Sequence, residues 1–152
     1  MIYLLDTDTF ILLSRGTHIR NPRQEREKTL VAKARKISKH CTRIFASGEI
    51  IGLSAISLAE LEYGLHHGGN FAKRQSAHLK MLAPFEAFPF DAEECVRHYG
   101  KVREDLESKG TPIGPLDTLI AAHALALGAT LVTNNTREFQ RVSGLNIANW
   151  TL

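Results

Sequence analysis

Short apolar runs, separated by stretches long enough for a helix, constrain this 152-residue chain more than any other feature. Ile2–Leu5, Ile50–Ala55 and Ala129–Thr133 are apolar with little alternation, the mark of strands buried on both faces. Two weaker runs, Ala87–Phe88 between Pro84 and Pro89 and Asn146–Ala148 near the end, offer a third and a fifth strand. Strands alternating with helices imply an α/β fold with a mainly parallel sheet of four or five strands and right-handed crossovers. Residues 1–152 are expected to form one domain.

Helix signals fill the gaps. Asp8 or Thr9 can cap a helix through Phe10–Leu13, with Gly16 as its stop. Asn21-Pro22 offers a new start, and Leu30, Ala34, Ile37 and Cys41 recur at helical spacing, so 22–45 reads as an amphipathic helix. Ser57-x-x-Glu60 has the form of a capping box opening the next helix, which ends near Gly64 or Gly68. Further helices are expected over 71–82, over 92–109 before Gly110, and over 115–127 between Pro115 and Gly128. No internal repeat or low-complexity segment interrupts this pattern.

Composition narrows the class. Apolar residues make up 43% and charged residues 23%, the balance of a water-soluble globular protein. No apolar run approaches the ~20 residues of a membrane helix. The N-terminus shows no basic signal-peptide region, and Cys41 and Cys95 form no Cys-x-x-Cys pair, so a cytoplasmic location is expected. The net charge of +3 is unevenly spread. Residues 20–43 carry nine Lys and Arg against Glu25 and Glu27, while the remainder carries ten basic and fourteen acidic residues. A basic segment on an acidic body suits a protein that holds a polyanion away from an acidic centre. Arg35, Lys36, Lys39 and Arg43 are the expected phosphate contacts, unless the segment is only a solvated helix face.

The acids then fall into a pattern. Open parallel sheets bind ligands outside the carboxyl ends of their strands. Asp6 and Asp8 follow the first strand, Glu60 lies one helical turn past the second, and Asn134, Asn135 and Glu138 follow the fourth. Asp117 opens a crossover helix whose start lies at that same edge. Each residue alone has a structural explanation in helix capping or the helix dipole. Together they would repel one another, and divalent cations resolve the conflict; carboxylate oxygens suit Mg²⁺ or Mn²⁺. A metal-dependent nuclease is the chemistry this set proposes. Thr7 and Thr133 are placed to hold acids or waters from behind. His123 follows Asp117 by six residues, about 240° around a helix, so it points elsewhere, into a core or surface role.

At this point the sequence resembles the PIN-domain ribonucleases, in particular the VapC-type toxins of bacterial type II toxin–antitoxin pairs. The resemblance rests on Leu-Leu-Asp-Thr-Asp-Thr at 4–9, Ile-Ser-Leu-Ala-Glu-Leu-Glu-Tyr-Gly at 56–64, Gly-Pro-Leu-Asp-Thr-Leu-Ile-Ala-Ala-His-Ala at 114–124 and Leu-Val-Thr-Asn-Asn-Thr-Arg-Glu-Phe at 131–139. These come in the family's order along nearly the whole chain. The resemblance implies a PIN-like three-layer fold and a Mg²⁺-dependent endoribonuclease, with Mn²⁺ as substitute. It assigns metal binding and catalysis to Asp6, Glu60 and Asp117. The position of the family's fourth acid is filled by Asn135, with Asp8 or Glu138 as stand-ins around a second ion or water. It also implies a VapB-type antitoxin that blocks the site, a homodimer, and a heterotetramer or larger assembly of the two chains.

Two rivals remain at this level. Asp6-Thr7-Asp8 also looks like the opening of haloacid-dehalogenase-type phosphatases, with Asp6 as nucleophile, although the late acidic pair that fold needs is missing. Asn135 in place of an acid equally suits an inactive PIN domain that only binds an antitoxin or RNA.

Overall fold

Five strands form one sheet in the order β3-β2-β1-β4-β5, and every pairing is parallel. The computed structural model describes residues 1–152. The strands are β1 (Ile2–Leu5), β2 (Ile50–Ser54), β3 (Glu86–Phe88), β4 (Thr130–Val132) and β5 (Asn146–Ala148). The helices are α1 (Thr7–His18), α2 (Glu25–Ala46), α3 (Ala55–His67), α4 (Phe71–Leu82), α5 (Glu94–Ser108), α6 (Pro115–Leu127) and the short α7 (Thr136–Phe139). The mainly parallel sheet expected from the sequence is thus wholly parallel, with five strands.

Strand alternation divides the core into two layers. Leu5, Ile51, Leu53 and Val132 face Phe10 and Leu13 of α1 and Ile37, Cys41 and Ile44 of α2. Leu4 and Leu131 face the other way, onto Val102 and Leu106 of α5 and Ile120, Ala121 and Ala124 of α6. Side chains one residue apart on a strand point to opposite faces, so consecutive leucines serve both layers. No helix is long and apolar enough to cross a membrane.

Three local expectations need correcting. Asp6, not Asp8 or Thr9, caps α1, accepting from the Thr9 N–H at 2.7 Å. Ser54, not Ser57, caps α3, accepting from Ile56 N–H at 3.0 Å. The Ser57/Glu60 capping box is therefore absent, and Glu60 lies in the second turn, free for another role. Ser54 is the last residue of β2 and Asp6 the single residue between β1 and α1, so strand and helix meet with almost no loop. Gln24 and Glu27 instead form a capping box at α2, which starts at Glu25 rather than at Pro22.

Gly16 does not stop α1, which runs on to His18. It is buried where α1 crosses α2, and a Cβ there would collide with the Ala34 methyl and crowd the Leu30 carbonyl at 3.0 Å. Its role is close approach of two helices, not termination. Gly16→Val should cost about 2–3 kcal/mol by overpacking, read as a lower midpoint in urea unfolding with an unchanged slope. Gly128 behaves as the sequence suggests, ending α6 in the left-handed region at φ 61°.

Candidate active site

The sheet changes direction at β1. From β1 the chain builds outward through β2 to β3, then crosses back to place β4 on β1's other side. The carboxyl ends of β1 and β4 flank this switch, where parallel sheets leave a ligand crevice. Leu5 pairs with Leu53 of β2 and with Val132 of β4. The following residues, Ser54, Asp6 and Thr133, therefore stand level on three adjacent strands. All three are buried.

Asp6 has 4% of its surface exposed, and both its oxygens are engaged. Oδ1 accepts from Thr9 N–H, and Oδ2 accepts a short bond from the Thr133 hydroxyl. Burial pushes its carboxyl above the usual range, while the threonine bonds pull it back down. The Thr133 hydroxyl also accepts from the Asn135 N–H at 2.9 Å, which fixes the turn into α7. Thr7, the first residue of α1, lies 2.7 Å from Glu60 Oε1 and 3.0 Å from the Ser57 hydroxyl. Its single proton goes to the carboxylate, so it accepts from Ser57 and ties Glu60 to the start of α1. Thr7 and Thr133 thus stand where the sequence put them, behind the acids.

Asp117 sits in the first turn of α6, half-buried, and its carboxyl is pushed up to about 6. Desolvation is the main cause, followed by the negative charges of Asp6, Glu138, Asp8 and Glu60. One carboxyl feeling four others shows that the sequence-distant acids converge. None of the five is paired with a lysine, an arginine or a histidine. No three Asp, Glu, His or Cys side chains are close enough to grip one ion directly.

Arg35, Lys36, Lys39 and Arg43 are exposed on α2 and have no carboxylate partner. No ion pair joins them to the acids. Beyond its first turns α2 runs down the sheet toward the amino edge, where β2 begins and Ile50 N–H donates to the Met1 carbonyl. A cleft of about 610 Å³ lies closer. It opens beside Glu60 between α1, α3 and α4, with Phe10, Ile11 and Leu61 on its walls and Arg15, Arg74 and His78 along it.

Sequence reasoning missed Ser54 and left His123 without a partner. His123 is fully buried, and its Nδ1 lies 2.7 Å from the Ser54 hydroxyl. The signal was present: a polar residue closing an apolar strand, and an imidazole inside an otherwise apolar helix. Neither names its partner, because 69 residues separate them.

The PIN domain family profile matches residues 3–145. The chain belongs to the PIN-domain family. Within it, the chain is 43% identical to ribonuclease VapC2 of Rickettsia felis over 70% of this chain and 79% of that protein. It is 37% identical to the tRNA(fMet)-specific endonuclease VapC of Salmonella typhimurium, over 64% and 74% of the two chains. The fold also matches a chain in the crystal structure of R. felis VapBC2 bound to promoter DNA, with TM-score 0.80 and 35% identity over 99% of each chain. The phosphatase reading falls with this assignment. The site residues expected from the sequence, Asp6, Glu60, Asp117 and Asn135, lie just past β1, on α3, on α6 and in the β4–α7 turn.

Proposed function

We propose that this PIN domain is a Mg²⁺-dependent endoribonuclease and the toxin of a VapBC-type toxin–antitoxin pair. The observation that carries the metal-dependent part is the Asp117 carboxyl, raised to about 6 by desolvation and four other acids, none of them paired with a cation of the chain's own. The donor set is all oxygen, which suits Mg²⁺ or Mn²⁺. No three of these groups are close enough to grip one ion directly, so water would fill part of its shell, as Mg²⁺ favours. Asp6, Glu60 and Asp117 would hold the ion, directly or through water. When bound, it lowers the pKa of a coordinated water and offsets charge building on a phosphodiester.

The chain's own residues supply the rest. Thr133 and the Thr9 amide hold Asp6 in one rotamer, and Thr7 does the same for Glu60. This spares the site an ordering cost when substrate arrives. Asp117 carries no such tether and is free to take a proton from the attacking water. Asn135, with Asp8 or Glu138 beside it, can orient that water through its side-chain amide. Relatives named as ribonucleases, one specific for tRNA(fMet), support a structured RNA, a tRNA first, as substrate. The neighbouring VapBC complex supports a VapB-type antitoxin partner, and the apolar cleft reaching Glu60 offers room for a segment of it.

The test is cleavage of initiator tRNA by the purified chain. Cutting is expected in Mg²⁺, to fall at least 100-fold in EDTA, and to return with Mn²⁺. Cutting that persists undiminished in EDTA would remove the ion from the mechanism.

A further inference from the structure

The acids on β1 and α3 are held by hydroxyl side chains, but Asp117 has no tether of its own. Its helix does. His123 lies six residues further along α6, about 9 Å along the axis. It is fully buried and faces Ser54, the last residue of β2. Ser54 is level with Asp6 in the sheet and caps α3, the helix that carries Glu60. The Ser54–His123 bond therefore joins the strand-end row and α3 to the helix of Asp117. No other side-chain hydrogen bond makes that connection.

The ring is confined in other ways. Phe90 packs edge-on against it, with centroids 5.5 Å apart. Burial holds the imidazole neutral, outweighing the nearby Asp91 carboxylate and Pro89 carbonyl. Ser54 Oγ accepts from the Ile56 N–H, and His123 Nδ1 is the acceptor its own proton meets, so that proton is assigned to Nδ1 and the ring proton to Nε2. Nε2 makes no hydrogen bond of ordinary geometry, with the Pro89 carbonyl as its near acceptor. A buried polar ring satisfied on only one side is a poor choice for filling a core, since an apolar side chain avoids the cost. Its retention among Ile120, Ala121, Ala122 and Ala124 calls for a directional role.

We propose that His123 is a positioning residue: through Ser54 it sets the rotation of α6 about its axis, and so the placement of Asp117 against Asp6 and Glu60. A helix packed through alanines slides and turns easily, because small side chains interlock little. One directional bond at a fixed point removes that freedom. The inference rests on the proposed ribonuclease reading for its kinetic readout but also predicts ion affinity directly.

The experiment uses the full chain with His123→Asn, His123→Gln, His123→Leu and Ile120→Val. Asparagine places an amide oxygen near Nδ1 and keeps the Ser54 bond; glutamine places its amide further out, near Nε2. Mn²⁺ affinity is read by electron paramagnetic resonance of the free ion, and RNA cleavage by initial rates in Mg²⁺. His123→Gln and His123→Leu should weaken Mn²⁺ binding at least fivefold and lower kcat 10- to 100-fold, with KM within twofold. His123→Asn should stay within threefold on both measures. Ile120→Val, which loosens the same helix without touching Ser54, should do likewise. If His123→Gln matches the parent, or His123→Asn is as impaired as His123→Gln, the positioning role is overturned. Should His123→Leu not fold, the contrast between asparagine and glutamine decides. A parent chain that binds Mn²⁺ but leaves RNA uncut overturns only the ribonuclease reading, and the Mn²⁺ arm then judges His123. A parent chain that does neither overturns both.

Discussion

Asp117→Asn is expected to abolish RNA cleavage, by at least 1,000-fold, and at the same time to raise the melting temperature of the ion-free protein. Most substitutions at buried polar positions destabilise, so the second effect is the more telling. The Asp117 carboxyl is raised to about 6, above the ordinary value near 3.8, by desolvation and by four neighbouring acids. Ionising it in the folded chain therefore costs more than ionising it in the unfolded one. Two pKa units correspond to about 3 kcal/mol. Asp117 is only half-buried, so solvent screening cuts this to roughly 1–1.5 kcal/mol. The α6 dipole favours a charge at the same place by a few tenths to about 1 kcal/mol, which opposes the gain. A net rise of roughly 0.5 kcal/mol remains, or about 1–2 °C in a chain of this size.

The pH dependence carries the same sign. A folded-state pKa above the unfolded value means the folded chain binds the proton more tightly. The stability it confers is fully present below about pH 4 and is lost as pH rises through about 6. Ion-free parent protein should melt higher at pH 5 than at pH 7, and Asp117→Asn should flatten that difference. Divalent ion should flatten it too, by supplying the missing positive charge. Scanning calorimetry of parent and variant across pH 4.5–7.5, with EDTA and then with Mg²⁺, checks all three. A variant that melts lower than the parent in EDTA would mean that Asp117 is stabilised by its surroundings, contrary to an ion-binding role. Stability given up at one place in return for chemistry is a common mark of an active site.

The acids were legible in the sequence because each marks a transition in chain direction. Asp6 ends an apolar strand, Asp117 follows Pro115 at a helix start, and Glu60 follows β2 by six residues. Strand ends and helix starts share one sheet edge in a parallel α/β fold, so position along the chain converts directly into position in space. The helix caps were less legible. Asp6 directly follows β1 and Ser54 closes β2, and each caps the helix that follows, with almost no loop between. A reading that expects a short loop places the cap further along, at Asp8 or Ser57. Gly16 was misread for a related reason: its missing side chain answers to Ala34, in a helix that sequence spacing alone cannot place against α1. The basic residues of α2 show the opposite limit. Their charge was plain, but charge gives no direction, and the fold carries Lys39 and Arg43 toward the edge away from the acids. Long-range partners such as Ser54 and His123 each leave a local signal, but neither signal names the other residue.

The hydroxyl behind Asp6 should matter nearly as much as the acids themselves. Thr133→Val keeps the shape of the side chain and removes only its polar atom. Two bonds then go: the one given to Asp6 Oδ2 and the one accepted from the Asn135 N–H. The first loss is the larger, because Asp6 is almost wholly buried and already held above its usual range by desolvation. A buried acceptor stripped of its donor costs about 1–3 kcal/mol, and more when charged. We expect a loss of about 3 kcal/mol overall, and a drop in cleavage of at least tenfold, since Asp6 would be freed from its rotamer and protonate more readily. Thr133→Ser keeps the hydroxyl and should lose less than half as much stability while keeping cleavage within a few-fold. A double-mutant cycle with Asp6→Asn separates the two causes. If the short bond is what Thr133 contributes, Thr133→Val should cost far less stability in the Asp6→Asn background than in the parent, with a coupling of about 1–2 kcal/mol. Equal losses in both backgrounds would show that Thr133 serves the α7 turn instead, and that Asp6 is held by the Thr9 amide alone.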